Sequence, residues 1–372
     1  MSEENHNAQP RLVWEMGTAY DLFISLNVLH KPAFFGLRGA WAAGVRSRLP
    51  IDHREFLEAV ADYVKEPYHW LVTLPQPKDS ATVLYHLGQV PAEERLRVLT
   101  GMHDFDDCQW CQTLSAVAER RAWGDADKEA LRAAVKVAGK SAPSTKYLEK
   151  LLDWWVSPGV FGERYLEALR TYHEVFFAEE EYRIRPALQQ AVERVKEQAR
   201  NMALADILEE LSGGLQFDNL EPQPELLMIP SFWITPRVIY MPLVEGRDMF
   251  IFGARRPEDS LVPGEPVPDA LLQSLKALSD PTRLRILRYL AAKPQTPAQL
   301  ARRLRLRPPT VTHHLDLLRL AGLVSFAYKG KLERQYSARH EAINRTFVLL
   351  SRFLAQGEER DITEPGERNQ VW

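Results

Sequence analysis

The chain has 372 residues, enough for two or three domains each with a normal core, and its 45% hydrophobic and 26% charged composition is that of an ordinary globular protein. The formal net charge of −3 hides an asymmetry: residues 266–356 carry 16 Lys/Arg against 5 Asp/Glu, while the rest of the chain carries 31 basic and 45 acidic side chains, so one segment alone suits a polyanion. The polar opening residues lack the pattern of a signal peptide, no apolar run is long enough to span a membrane, and Cys108 and Cys111 are too few for a disulfide framework, so a reducing, cytoplasmic setting is expected.

The first half reads mainly as helices. Residues 51–66 place Phe56, Leu57, Val60, Tyr63 and Val64 on one face, with Asp52 as the expected N-cap. Pro91 opens a helix with Glu93 and Glu94 in its first turn. A helix is expected from near Asp107, and two more over 125–137 and 144–156. From 163 to about 213 the pattern stays helical, with Pro186 expected to kink or divide it and Gly213-Gly214 to stop it. Strand chemistry then takes over: 226–234, 238–244 and 249–253 are rich in β-branched and aromatic residues, the last two as a hairpin. Residues 256–268 hold four prolines and few large apolar side chains, which marks a linker.

The segment that follows has a regular order. Asp280-Pro281 is an N-cap with proline at N1, opening a helix expected to bury Leu284, Leu287 and Leu290, with Ile286 at its margin. Thr296-Pro297 repeats that start for a short helix, and Arg305-Leu306-Arg307 makes a turn. Pro308 and Pro309 begin a third helix whose Val311, Leu315 and Leu318 face inward, and Gly322 ends it. Two β-prone runs, 323–328 and 333–337, flank the basic tip Lys329-Gly330-Lys331. Helix, short helix, turn, helix and hairpin is the order of a winged helix-turn-helix, whose third helix fits a major groove. With Val311, Leu315 and Leu318 inward, Thr312, His313 and Asp316 lie outward and Thr310 on the flank, beside Pro309. Arg302, Arg303, Arg305, Arg307, Lys329, Lys331 and Arg334 are expected to hold phosphates.

The stretches LSDPTRLRIL and TVTHHLDLLRLAGLV, with the wing after them, resemble the ArsR/SmtB family of winged-helix regulators over roughly residues 270–354. The resemblance implies a homodimeric regulator, usually a repressor, that leaves a double-stranded DNA operator when an effector acts. It also implies a DNA-facing side for Thr310, Thr312 and His313, and a structural or phosphate contact for His314. Metal sensing is not carried across: the helix TPAQLARRL has no ligand, and His340 and Glu341, being adjacent, point apart.

Cys108-Gln109-Trp110-Cys111 admits three readings: two ordinary cysteines on a helix, half of a zinc site with His103 as a third ligand, or a redox pair. Carboxylates nearby raise a thiol pKa, which weighs against a reactive thiolate. The aromatic N-terminal region reads mainly as core, with a minority of rings available to a small-molecule pocket. The segments AYDLFISLNVLHKPAFFGLRGAW and IPSFWITPRVIYMPL are similar to uncharacterised regions fused to ArsR-type domains. No enzyme motif or cofactor is read. The expectation is a mainly α protein: a helical domain with a small β element over 1–255, a linker over 256–268, an α+β winged helix-turn-helix over 269–356 and a charged tail over 357–372. Its function is that of a sequence-specific transcriptional regulator responding to a non-metal effector; the alternative is a protein-interaction adaptor whose winged helix does not read DNA.

Overall fold

The computed structural model describes residues 10–35, 37, 39–101, 108–137, 142–216, 223–243, 246–260, 267–329 and 333–355. They fall into two compact units. The first comprises Met1–Arg194, Pro222–Thr235 and Ile239–Ala254; the second comprises Val195–Glu221, Pro236–Val238 and Arg255–Trp372.

The first unit holds a four-stranded sheet of β1 (Arg11–Trp14), β2 (Glu225–Ser231), β3 (Ile239–Pro242) and β4 (Arg247–Gly253), in the order β1-β2-β4-β3. β1 and β4 both run parallel to β2, and β3 pairs antiparallel to β4 with Ile239 opposite Ile251, the expected hairpin. Leu226 to Ser231 and Met249 to Phe252 are buried without alternation, as parallel strands covered on both faces should be. β1 is an addition to the expected strands: four residues next to a polar terminus give no periodicity to read.

Among the described residues, ten α-helices lie wholly in this unit: α1 (Ala19–His30), α2 (Gly39–Arg46), α3 (Ile51–Val60), α4 (Tyr68–Thr73), α5 (Ser80–Gln89), α6 (Ala92–Thr100), α7 (Gln109–Arg120), α8 (Asp125–Val137), α9 (Thr145–Val156) and α10 (Pro158–Tyr172). α3 ends at Val60, short of the expected 66, and its N-cap is Pro50 rather than Asp52. A π-helical turn over His173–Phe177 joins α10 to α11 (Ala178–Asn201), which runs unbroken through Pro186. The break falls later, between α11 and α12 (Leu204–Leu211).

α1 is buried on every side, and the carboxylate of Asp21 is fully enclosed. It accepts from Ser231 Oγ at 2.6 Å and from the backbone N–H groups of Phe232 and Trp233 at 3.2 and 3.0 Å, so it caps the turn that follows β2. Burial pushes its pKa up to about 6, against those three hydrogen bonds. Trp233 then stacks on Trp41 with centroids 5.6 Å apart, and Phe176 from the π-turn meets both rings edge-on. The two aromatic segments that stood out in the sequence therefore meet in one core.

The second unit contains α12, α13 (Asp269–Leu278), α14 (Pro281–Ala292), α15 (Pro297–Leu304), α16 (Pro308–Leu320), β5 (Val324–Lys329), β6 (Glu333–Ala338) and α17 (His340–Ala355). Asp280 caps α14 through Arg283 N–H at 2.8 Å. Thr296 and Gln299 form a reciprocal capping box on α15. In α14 the inward residues are Ile286, Leu287 and Leu290, while Leu284 is 48% exposed; a three-residue repeat drifts around a helix of 3.6 residues per turn, and Leu284 falls off the packed stripe. Val311, Leu315 and Leu318 are wholly buried against Leu300, Leu304 and Leu323, and Gly322 takes a left-handed φ of 68° after α16. Arg255 and Asp269, paired at 2.6 Å and nearly buried, tie the two ends of the proline-rich segment.

Candidate nucleic-acid interface

α15 ends on Arg305, whose left-handed φ of 57° lets Leu306 N–H reach back to Ala301 O at 3.0 Å. The turn is short because Arg307 already serves as N-cap of α16, with Pro308 and Pro309 in its first turn. Two helices are thus set at a fixed angle by a handful of backbone bonds, and the outer side of α16 is left clear. Pro309, Thr310 and His313 are exposed and Thr312 is half-buried. The Thr312 hydroxyl donates to Pro308 O at 3.1 Å, so toward a further partner its oxygen can act only as an acceptor.

Arg302, Arg303, Arg305 and Arg307 are all exposed around this helix start. Arg303 also lies over the Tyr289 ring at 5.6 Å. Arg334, exposed on β6, covers the ring of Phe326 at 5.4 Å. Lys329 is the last residue of β5, opposite Glu333 in the register, and Lys331 lies outside the described residues. His314 is turned away from this surface: its Nδ1 lies 3.9 Å from Asp280 Oδ1, and burial holds its pKa below the usual imidazole value.

Asp316, expected on the outer side, has neighbours from a distant segment. It is half-buried and shares its surroundings with Arg237 and Arg319; burial and the charge of Arg319 push the pKa of Arg237 down to about 10, against the pull of Asp316. Nothing in the local pattern of residues 236–238 could have announced a place beside α16.

The hairpin is more than two strands. Gln295 and Tyr336 exchange backbone bonds of 2.9 and 2.8 Å, extending the sheet beyond β6. On the other edge Phe326 N–H donates to Gly214 O at 3.1 Å and Gln216 N–H to Phe326 O at 3.2 Å, so the segment after α12 covers β5.

Elsewhere, Cys108 and Cys111 are joined by a disulfide, at the pair for which the sequence alone left ordinary cysteines, a zinc site and a redox pair open. Cys108 is the extended N-cap of α7 and Cys111 sits one turn on, which sets their Cα atoms 5.3 Å apart, inside the span a disulfide needs. His103 lies outside the described residues. Among the described residues no three His, Cys, Asp or Glu gather as a metal set, and no helix is long and apolar enough to cross a membrane. The first unit has a cleft of about 850 Å³ between α6, α7 and α10, lined by Trp155, Val156 and Pro158 and by Glu93, Glu119 and Arg121. It is open and mixed in polarity, not the enclosed apolar pocket a purely hydrophobic ligand would need.

A tri-helical core, a capped turn, an outward helix start ringed by arginines and a β-hairpin define a winged helix-turn-helix of the DNA-binding class. Residues 278–325 match the family described as "Helix-turn-helix domain". The chain is 30% identical over 83 residues to the transcriptional repressor SdpR of Bacillus subtilis (strain 168), a match that spans 22% of this chain and 91% of that protein. It is also 33% identical to an ArsR-like transcriptional regulator from Rhodococcus sp. RHA1 of known structure, over 24% of this chain and 83% of that one, with a TM-score of 0.22. The chain belongs to the ArsR family of helix-turn-helix transcriptional regulators and binds DNA as they do.

Proposed function

We propose that the protein is a homodimeric repressor that reads a pseudo-palindromic operator with the start of α16 and releases it when the N-terminal region senses a non-metal small molecule. The observation that carries the reading is the division of α16: Val311, Leu315 and Leu318 are completely buried, while Pro309, Thr310 and His313 face solvent within a ring of exposed arginines. Small hydroxyls and an imidazole suit base edges, and arginines suit phosphates. Arg305, Arg307, Lys329, Lys331 and Arg334 are assigned to the backbone, Thr310, Thr312 and His313 to the bases, and His314 to positioning α16 through Asp280. The repressor SdpR lends support to the sign of regulation.

A dimer is supported by α17, which leaves Phe347, Val348 and Leu354 at least half exposed on one helix, an apolar face of the kind an isologous contact buries. The cleft of the first unit has the size of a small-molecule site, which is consistent with a sensing role for that region. The protein acts in the cytoplasm, where its operator is.

The test is operator binding by gel shift over a salt series. Reversing the charge of Arg305 and Arg307 weakens binding to every sequence and flattens the salt dependence by about one counterion per lost phosphate contact. Thr312→Ala and His313→Ala change which base pairs are preferred, each costing about 1–3 kcal/mol of discrimination at its position. Selectivity unchanged in both alanine variants overturns the assignment of α16, and absence of salt-sensitive, selective binding by the full chain favours the adaptor reading.

A further inference from the structure

The Cys108–Cys111 bond is poorly placed to be a brace. Both ends lie in the first turn of α7, so it joins that helix to no other element. The loop it closes spans four residues, and the unfolded chain loses little freedom by it. The two sulfurs are also unequal. Cys108 is exposed, whereas Cys111 is only 4% exposed and packs inside the unit. The backbone N–H of Cys111 donates to Cys108 Sγ at 3.2 Å, so the outer sulfur occupies the place an N-cap oxygen usually takes. A helix N-terminus favours a sulfur that carries negative charge. Asp106 and Asp107, directly before it in sequence, work in the opposite direction.

We propose that Cys108 and Cys111 are a reversible dithiol–disulfide centre, with Cys108 exchanging with low-molecular-weight disulfides and Cys111 resolving the product. In the oxidising direction the Cys108 thiolate attacks one sulfur of a small disulfide. A mixed disulfide forms, and the other half leaves as a thiolate that takes up a proton. Cys111, giving up its own proton, then attacks Cys108 Sγ and expels the second half. Two protein thiols become one disulfide while the small disulfide is reduced to two thiols, so electrons and protons balance. Reduction by excess small thiol runs the same steps backwards, again starting at the exposed sulfur.

The experiment uses the folded full-length protein, equilibrated with mixtures of reduced and oxidised glutathione, quenched with iodoacetamide and weighed intact. With oxidised glutathione the protein takes up no label; with excess reduced glutathione, and no denaturant, it takes up one on the exposed Cys108, and the buried Cys111 takes up a second only after unfolding. Cys111→Ser retains one glutathione on Cys108, and Cys108→Ser leaves Cys111 unlabelled until the protein is unfolded. A disulfide that opens only in denaturant is a structural crosslink and overturns the proposal. So does a Cys111→Ser protein, folded by circular dichroism, that captures no glutathione. Stoichiometric zinc on the reduced protein, resistant to dialysis, also overturns it in favour of a metal site. The wild-type titration alone decides between exchange and crosslink if either variant fails to fold.

Discussion

Replacing Gly214 by alanine should damage the DNA-binding unit far more than the same change one residue earlier. Both glycines have positive φ, +70° for Gly213 and +102° for Gly214. A Cβ on Gly213 meets only Arg339 Nη1 at 3.9 Å, so Gly213→Ala carries the left-handed backbone cost of about 1–2 kcal/mol and little else. A Cβ on Gly214 falls 2.7 Å from both Ser325 Cβ and Arg339 Cδ. Ser325 is buried in β5 and has no room to retreat, and Arg339 is held by its bond to Gly322 O at 3.1 Å. Its φ also lies beyond the left-handed well, a strain of about 1–3 kcal/mol, to which overpacking adds roughly another 1–3 kcal/mol. Gly214→Ala should therefore cost about 2–6 kcal/mol, centred near 4, against about 1–2 kcal/mol for its neighbour. Hydrogen exchange of the Phe326 amide, whose partner is Gly214 O, reports the loss directly when followed through a urea series. Equal costs for the two variants, or full protection of Phe326 in Gly214→Ala, would refute the reasoning.

Asp21, raised from 3.8 to about 6 by burial, makes the first unit most stable below the ordinary carboxylate pKa and less so as pH rises through 6, by up to about 3 kcal/mol. Asp21→Asn can keep the Oδ1 acceptor for Ser231 Oγ and the Trp233 amide while losing the acceptor of the Phe232 amide, so it should lower stability and flatten that part of the pH profile of urea midpoints; an unchanged profile counts against the assignment. Phe347→Glu, on the exposed face of α17, should halve the mass seen by analytical ultracentrifugation and weaken operator binding, whereas an intact dimer removes α17 from the interface. A fragment starting at 255 lacks Gly214 and Gln216, so the outer edge of β5 loses two backbone bonds worth about 1 kcal/mol each; its Phe326 amide should exchange faster than in the full chain, and equal protection would argue against the pairing.

The readable parts of the sequence were those with local physics. Asp280-Pro281, Thr296-Pro297 and Pro308-Pro309 each announce a helix start, because a side-chain acceptor and a preset φ act within one turn. Val311, Leu315 and Leu318 give the inward face of α16 through spacing alone, and the exposed arginines follow by exclusion. What escaped was long-range. β1 is fixed by parallel pairing of Arg11 with Glu225, and a four-residue strand carries no period of its own. Leu284 looked inward because the repeat of three was followed instead of the packed pair Ile286 and Leu287. Pro186 looked like a break, yet α11 continues through it and stops at a point marked by neither proline nor glycine.

The same limit shapes the interface. A sequence that ends its helical region at Gly213-Gly214 and begins its winged helix after four prolines suggests a C-terminal module complete in itself. The second unit nevertheless includes Val195–Glu221 and Pro236–Val238, because residues 214–216 finish the edge of β5 and Arg237 lies near Asp316 and Arg319 of α16. That placement brings Arg237 and Arg319 into the surroundings of the acid that α16 carries. We propose that bases meet the exposed start of α16, from Pro309 to His313, next to positions shaped by residues far away in the chain.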